Sequence, residues 1–303
     1  MRSNNVGIIG LGAMGLGIAK TLRSKGYTVH ACDARPGVAE QFARDGGVAC
    51  DSPADVATQT QVVVSVVVNA AQTEAVLFGE QGAADAMQAG SVFVMCSTVA
   101  PNWSMALEAR LAERGILYVD GPISGGAAKA ASGQMTMMTA ATPAAYAVAN
   151  PVLDAMAGTV YRLGDRAGAG SKVKIINQLL AGVHIAAAAE AMALGLREGV
   201  DAAALFDVIT HSAGNSWMFE NRMAHVLAGD YTPLSAVDIF VKDLGLVLDT
   251  ARASKFPLPL AATAHQMFMQ ASSAGYANED DSAVIKIFPG ITLPAANDDQ
   301  NPA

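Results

Sequence analysis

Short runs of β-branched and other apolar residues recur through the first half of the chain, at 6–9, 28–32, 62–68, 92–96 and 117–119, with helix-like spacing between them. Strands of this length alternating with helices predict a parallel sheet wrapped by crossover helices. The run 62–68, VVVSVVV, is apolar at every position but one, as a central strand covered on both faces requires. Just upstream, Ser52, Pro53 and Asp55 read as an N-cap, a first-turn proline and an acid at the positive end of a helix. From about Gly168 the period changes. Val173, Ile176, Leu179, Leu180 and Val183 follow at steps of three and four, strand signals fade, and a helical half begins. Further helices are predicted at 202–211, capped by Asp201, and at 235–253, stopping before Pro257, Leu258 and Pro259. The expected class is α/β: an N-terminal doubly wound parallel sheet over 1–165, an all-α C-terminal domain over 166–292, and a disordered Asn/Asp/Pro-rich tail over 293–303.

Composition narrows the function. With 303 residues and 52% hydrophobic content, the chain has core material for two domains, which excludes a disordered or fibrous protein. A net charge of -8 offers no basic footprint, so nucleic acid is not expected as a partner. Cys32, Cys50 and Cys96 form no C-x-x-C pair, which points to a reducing cytoplasm rather than a disulfide framework or a zinc site. His184, His211, His225 and His265 are scattered, and no metal is expected. The apolar run 6–19 follows Arg2 as in a secretory signal, but Gly10, Gly12, Gly15 and Gly17 interrupt it and assign it to the fold. No membrane segment is expected either, since the longest apolar stretch, 181–196, carries His184 and Glu190. Met135, Met137 and Met138 read as core filling.

Three constellations carry chemistry. Gly10, Leu11, Gly12, Ala13, Met14 and Gly15 form a G-x-G-x-x-G that directly follows a strand and opens a helix, the context of a dinucleotide site on a Rossmann-type sheet. Gly10 is expected to make the tight turn, Gly12 to let backbone approach a pyrophosphate, and Gly15 to pack the helix closely. Asp33 ends the second strand where an acid meets the adenosine ribose, favouring NAD; Arg35, two residues on, would suit the 2'-phosphate of NADP. A second loop runs Asp120, Gly121, Pro122, Ile123, Ser124, Gly125, Gly126, and presents one hydroxyl and unobstructed backbone N–H groups to a carboxylate. The third begins at Gly168, Ala169 and Gly170. Lys174 and Gln178 there lie four apart on one helix face, with Asn177 beside them. Oxidising an alcohol needs a base for the hydroxyl proton, a task a desolvated lysine performs.

Taken jointly, these motifs and Lys242, Asp243 and Leu244 resemble the β-hydroxyacid dehydrogenases, related to 3-hydroxyisobutyrate dehydrogenase, tartronate semialdehyde reductase and, more distantly, 6-phosphogluconate dehydrogenase. The similarity spans nearly all of 5–292. The resemblance implies that Lys174 is the general acid/base, that Ser124, Gly125 and Gly126 hold the substrate carboxylate, and that Gln178, next to Asn177, orients the reacting oxygen. Many members have Asn where Gln178 stands. It further implies that Val68 and Thr98, after Ser97, line the cofactor, that Lys242 reaches it from the helical half, and that Asp243 supports the site. The substrate implied is a small hydroxy acid, with a four-carbon sugar acid the nearest match and the oxidised carbon, 2 or 3, left open. Asn215, Trp217, Phe219 and Arg222 are further candidates for the pocket or for helix packing. The acidic chain shows no Arg/Lys cluster for a substrate phosphate, against a decarboxylase of the phosphogluconate type. A non-catalytic dinucleotide-binding module is the alternative of another class; Lys174 together with Ser124, Gly125 and Gly126 speaks against it. The apolar, weakly charged stretch 185–196 is expected to pack against a second chain in a homodimer or homotetramer.

Overall fold

The structure is a computed structural model described over residues 4–295, and the part of the expected tail at 296–303 lies outside the described residues. The chain divides into two compact units, Met1–Lys174 and Ile175–Ala303.

In the first unit, β1 (Asn5–Ile9), β2 (Thr28–Cys32), β3 (Val48–Ala49), β4 (Val62–Ser65), β5 (Val92–Met95) and β6 (Leu117–Asp120) pair in parallel in the order β3-β2-β1-β4-β5-β6. The crossovers between them are α1 (Ala13–Ser24), α2 (Val38–Arg44), α3 (Pro53–Gln59), α4 (Ala70–Phe78) and α5 (Pro101–Ala112). Strand order reverses at β1, with β2 on one side and β4 on the other. The carboxyl ends beside such a reversal are where open α/β sheets bind ligands. Period two sorts the side chains. Val6, Ile8, Val64 and Val94 face one core layer with Ile18, Leu22 and Leu153, while Ile9, Val63, Phe93 and Met95 face another with Val56, Leu77 and Leu107. Ser52 Oγ accepts from Asp55 N at 3.1 Å with Pro53 in the first turn, as its sequence predicts.

Past β6 the sheet departs from the expected all-parallel pattern. It continues through β7 (Ile123–Ser124), α6 (Gly126–Ala131), β8 (Thr136–Ala141), α7 (Pro143–Met156) and β9 (Thr159–Arg162). Strand β8 runs antiparallel to β6 and β7 and parallel to β9. Met135 and Met137 are fully buried there, filling the core beside α7.

Helix α8 (Ala169–Arg197) begins in the first unit and runs on into the second, which is helical: α9 (Ala202–Thr210), α10 (Trp217–Ala228), α11 (Val237–Ala253) and α12 (Pro259–Ala271). Asp201 caps α9 by accepting from Ala204 N at 2.8 Å. Helix α11 starts at Val237 rather than at 235 because Ala236 bridges to Asp280 and Ser235 O accepts from Asp281 N at 2.7 Å. At 29 residues, α8 is the one described helix long and apolar enough to cross a membrane. One face of it, Ile185, Ala189 and Met192, is built into the core of the second unit with Phe219, Met223, Phe240 and Phe268. Most of the apolar residues in 185–196 are therefore consumed inside the unit; the large apolar side chain exposed there is Leu194, while Val173, Ile176 and Leu180 are exposed nearer the start of α8.

Candidate active site

The glycine-rich turn sits at the carboxyl end of β1. Gly10 takes φ +93, and a Cβ there would come within 2.9 Å of Val66 O, so the position requires glycine. A Cβ on Gly15 would lie 1.9 Å from Gly10 O, which is how closely α1 is pressed onto the turn. Gly12, by contrast, faces open space, and it caps α1 without a side-chain hydrogen bond or an acid in the first turn. No side chain caps the first turn of α1 and none of its residues is acidic, while Leu11 N, just before it, donates to Asp33 Oδ2. The cradle fits a dinucleotide, with Leu11, Ala13 and Met14 completing the turn.

Asp33 follows β2 and its carboxylate is fully engaged. Oδ2 accepts from Leu11 N at 2.7 Å, and Oδ1 accepts from Arg35 N and Arg35 Nε, each at 2.9 Å. Burial alone would push this carboxyl up, but the hydrogen bonds from Arg35 and Leu11 and the guanidinium charge bring it below the usual carboxylate range. Arg35 thus spends its charge on Asp33. This arrangement suits a ribose hydroxyl better than a second phosphate. Asp33→Ala is expected to raise the KM for NAD about 10- to 100-fold and to narrow the gap to NADP, because it removes a charged acceptor and releases Arg35. Steady-state kinetics with both cofactors checks it.

On the far side of β1, the ends of β4 and β5 are tied together. Ser97 Oγ donates to Val67 O at 2.7 Å and lies 3.2 Å from Thr73 Oγ1, which fixes the turn bearing Thr98 beside the loop bearing Val68. Val68 is exposed, and its N–H donates to Gln72 Oε1 at 2.7 Å. The strand predicted at 62–68 ends at Ser65 because 66–68 bend over the glycine turn.

Ser124 and Gly125 are half-buried at the end of β7, and Gly126 is exposed. Gly125 and Gly126 both have positive φ, +130 and +75, and open α6 with no side-chain cap. Helix α6 is braced on α1: Thr21 Oγ1 donates to Ala130 O at 2.9 Å, and a Cβ on Gly17 would lie 2.8 Å from Ala131 N. The loop of Ser124, Gly125 and Gly126 is thereby held by the same helix that carries the glycine turn. Four residues before Ser124, the wholly buried Asp120 accepts from Gly168 N, Ser171 N and Ser171 Oγ at the start of α8.

Lys174 is buried, 7% exposed, in the second turn of α8. On the following turn Asn177 is half-buried and Gln178 is 8% exposed. Gln178 Nε2 donates to Asp243 Oδ2 at 2.6 Å, while Asn177 Nδ2 donates to Gln178 Oε1 at 3.0 Å. A carboxylate only accepts, so the amide orientation of Gln178 is set. Lys242 Nζ lies 2.6 Å from Asp243 Oδ1. Helices α8 and α11 approach closely enough for these bonds because Gly182 packs flat on Leu244, where a Cβ would come within 2.9 Å.

Three of the other pocket candidates have structural partners. Phe219 is buried in the helical core and stacks on Phe206, with centroids 5.9 Å apart. Arg222 grips the buried Asp281 through Nε at 2.5 Å and Nη2 at 3.1 Å, and Asn215 Nδ2 donates to Glu220 Oε1 at 2.7 Å. Arg222 is a structural ion pair whose partner, 59 residues away, gives no local sequence signal. Burial pushes the Cys32 and Cys96 thiols up to about 12, which leaves both protonated and poor nucleophiles.

Comparison with known proteins identifies relatives over nearly the whole chain. Residues 5–164 match the NAD binding domain of 6-phosphogluconate dehydrogenase, and residues 168–288 match the NAD-binding domain of NADP-dependent 3-hydroxyisobutyrate dehydrogenase. The chain is 69% identical over 292 residues to L-threonate dehydrogenase of Cupriavidus necator, covering 96% of this chain and 98% of that one. It is 32% identical to mitochondrial 3-hydroxyisobutyrate dehydrogenase of Rattus norvegicus, over 93% of this chain and 86% of that one. Among solved structures, a 3-hydroxyisobutyrate dehydrogenase from Salmonella typhimurium superposes with a TM-score of 0.90 at 53% identity, covering 94% of this chain and 99% of that one.

Proposed function

Because the chain belongs to the β-hydroxyacid dehydrogenase family, that of 3-hydroxyisobutyrate dehydrogenase, we propose that it oxidises L-threonate at carbon 2 to 2-dehydro-L-erythronate, with NAD as acceptor. The observation that carries this reading is the 69% identity, over almost the whole length, to L-threonate dehydrogenase. The functional division we adopt is 1–165 for NAD and 166–292 for substrate and assembly.

NAD, when bound, supplies the hydride acceptor. The glycine turn and Asp33 hold it. Ser124 Oγ–H and the N–H groups of Gly125 and Gly126 bind the substrate carboxylate, which places carbon 2 next to the anchored end. In its neutral form, the amine of Lys174 takes the hydroxyl proton; in the reverse direction its ammonium returns that proton to the carbonyl oxygen. Gln178, its amide fixed by Asp243, orients the reacting oxygen, with Asn177 steadying the other end of the amide. Burial of Lys174 and Gln178 keeps competing water from these donors.

A second reading rests on the name of the Salmonella structure, and makes 3-hydroxyisobutyrate the substrate. The test is NADH formation with L-threonate, D-threonate, D-erythronate, D-glycerate and 3-hydroxyisobutyrate, each with NAD and with NADP. Preference for L-threonate with NAD is expected. Preference for 3-hydroxyisobutyrate transfers the enzyme to the second reading, and activity on none of the acids overturns both.

We also propose a homodimer or homotetramer in the cytoplasm, in keeping with the exposed Ile176, Leu180 and Leu194 and with three free cysteines. Light scattering is expected to give at least twice the chain mass; a monomer refutes it.

A further inference from the structure

The loop that begins at Asp120 and the helix that carries Lys174 are far apart in sequence, yet one carboxylate joins them. Asp120 is the last residue of β6 and is wholly buried. Its Oδ2 accepts from Gly168 N at 2.8 Å and Ser171 N at 3.0 Å, and its Oδ1 accepts from Ser171 Oγ at 2.6 Å. The first turn of a helix has N–H groups with no partner in the helix itself, and here a residue from another strand satisfies them. The anion also lies at the positive end of a 29-residue helix, where negative charge is stabilised. Local backbone is shaped to the contact. Gly168 takes φ +103, and a Cβ on Gly170 would lie 2.4 Å from Met138 O and 2.7 Å from Asp120 O, so the helix start rests directly on the middle of β8 and the end of β6.

Each side of this junction leads within a few residues to a group assigned to the reaction. Ser124 lies four positions after Asp120, and Lys174 three after Ser171, roughly 4.5 Å along the helix axis. On the reading that Lys174 is the acid/base, we propose that Asp120 is a positioning residue. Its hydrogen bonds to the first turn of α8 set the axial and rotational placement of Lys174 against the Ser124, Gly125 and Gly126 loop. Asp120 touches neither substrate nor cofactor; it acts through the helix.

The chemistry of the pair provides the test. In Asp120→Asn, the amide oxygen still accepts from Gly168 N and Ser171 N, and the amide nitrogen donates to Ser171 Oγ, which rotates to accept. Geometry survives and charge is lost. Asp120→Ala removes every bond to the helix. Asp120→Ala is expected to lower kcat on the order of 100-fold, as a misplacement of about 1 Å does, with little change in NAD affinity. Asp120→Asn is expected to restore kcat to within about threefold of wild type with the pH profile in place, since its hydrogen bonds hold the same geometry. Ser171→Ala, which removes one bond to a charged acceptor and folds more safely, is expected to lower kcat about tenfold, and Ser171→Thr to restore it. Hydrogen exchange by mass spectrometry, which needs no substrate, is expected to show faster exchange over residues 168–174 in Asp120→Ala than in Asp120→Asn.

The proposal is overturned if Asp120→Ala opens the helix start yet keeps kcat, or if Asp120→Asn fails as badly as alanine with a displaced pH profile, which would make the charge the cause. Should Asp120→Ala not fold, an unchanged kcat in Ser171→Ala overturns it. A wild-type enzyme inactive on every hydroxy acid would sink the reading of function instead, and leaves the exchange result to report on the tether alone.

Discussion

Lys174→Ala is expected to lower kcat with L-threonate by about 10²- to 10⁴-fold, the range spanned by a positioned general acid or base, while NAD affinity stays near wild type. The split follows from location. Lys174 lies on α8, buried, whereas the glycine turn and Asp33 that we assign to the dinucleotide are built on β1, α1 and β2. Lys174→Arg separates charge from proton transfer. A guanidinium keeps the positive charge, but it does not give up its proton at any working pH. The arginine variant is therefore expected to be as inactive as alanine. If it turns over, Lys174 serves as an electrostatic anchor and another group moves the proton. Steady-state kinetics together with NAD titration by fluorescence measures both quantities.

Gly15→Ala is expected to damage both folding and cofactor binding. The added Cβ would lie 1.9 Å from Gly10 O and 3.4 Å from Val66 Cβ, and the first of these is backbone that cannot rotate aside. Forcing such a contact costs about 1–3 kcal/mol of stability and moves the start of α1 away from the turn. NAD affinity is lost with it, since the pyrophosphate relies on that helix end. Gly12→Ala is the control. Its Cβ meets nothing within 4 Å, so thermal stability is expected to stay near wild type while NAD affinity falls, because the methyl stands where backbone must approach the pyrophosphate. Calorimetry and NAD titration on the two variants distinguish a packing glycine from a ligand-facing one. Equal losses of stability in both would refute these assignments.

The central strands were legible in the sequence because they are largely buried on both faces and so carry mostly apolar runs, unbroken in β5 and interrupted by His30 in β2, Ser65 in β4 and Asp120 in β6. Strand β3 has two residues at the sheet edge, too few to show a period, and β8, TMMTAA, dilutes two strand-favouring threonines with Met and Ala, so that packing decides its state. The glycines could be read from their spacing, since backbone geometry imposes that spacing locally. Side-chain partners could not. Asp120 meets Ser171 across 51 positions and Asp243 meets Gln178 across 65, so both are set by how elements pack rather than by any local pattern. For the same reason the sequence left Arg222 open between the pocket and helix packing, and its ion pair with the buried Asp281 is seen only in the fold.

The central claim is that this chain removes hydride from carbon 2 of L-threonate, and isotope transfer tests it directly. L-threonate carrying deuterium at carbon 2 is incubated with the enzyme and NAD, and the reduced coenzyme is weighed by mass spectrometry. The account predicts that the coenzyme gains one deuterium, and that L-threonate labelled at carbon 3 instead gives unlabelled coenzyme. Label arriving from carbon 3, or no reduced coenzyme from L-threonate at all, would contradict it.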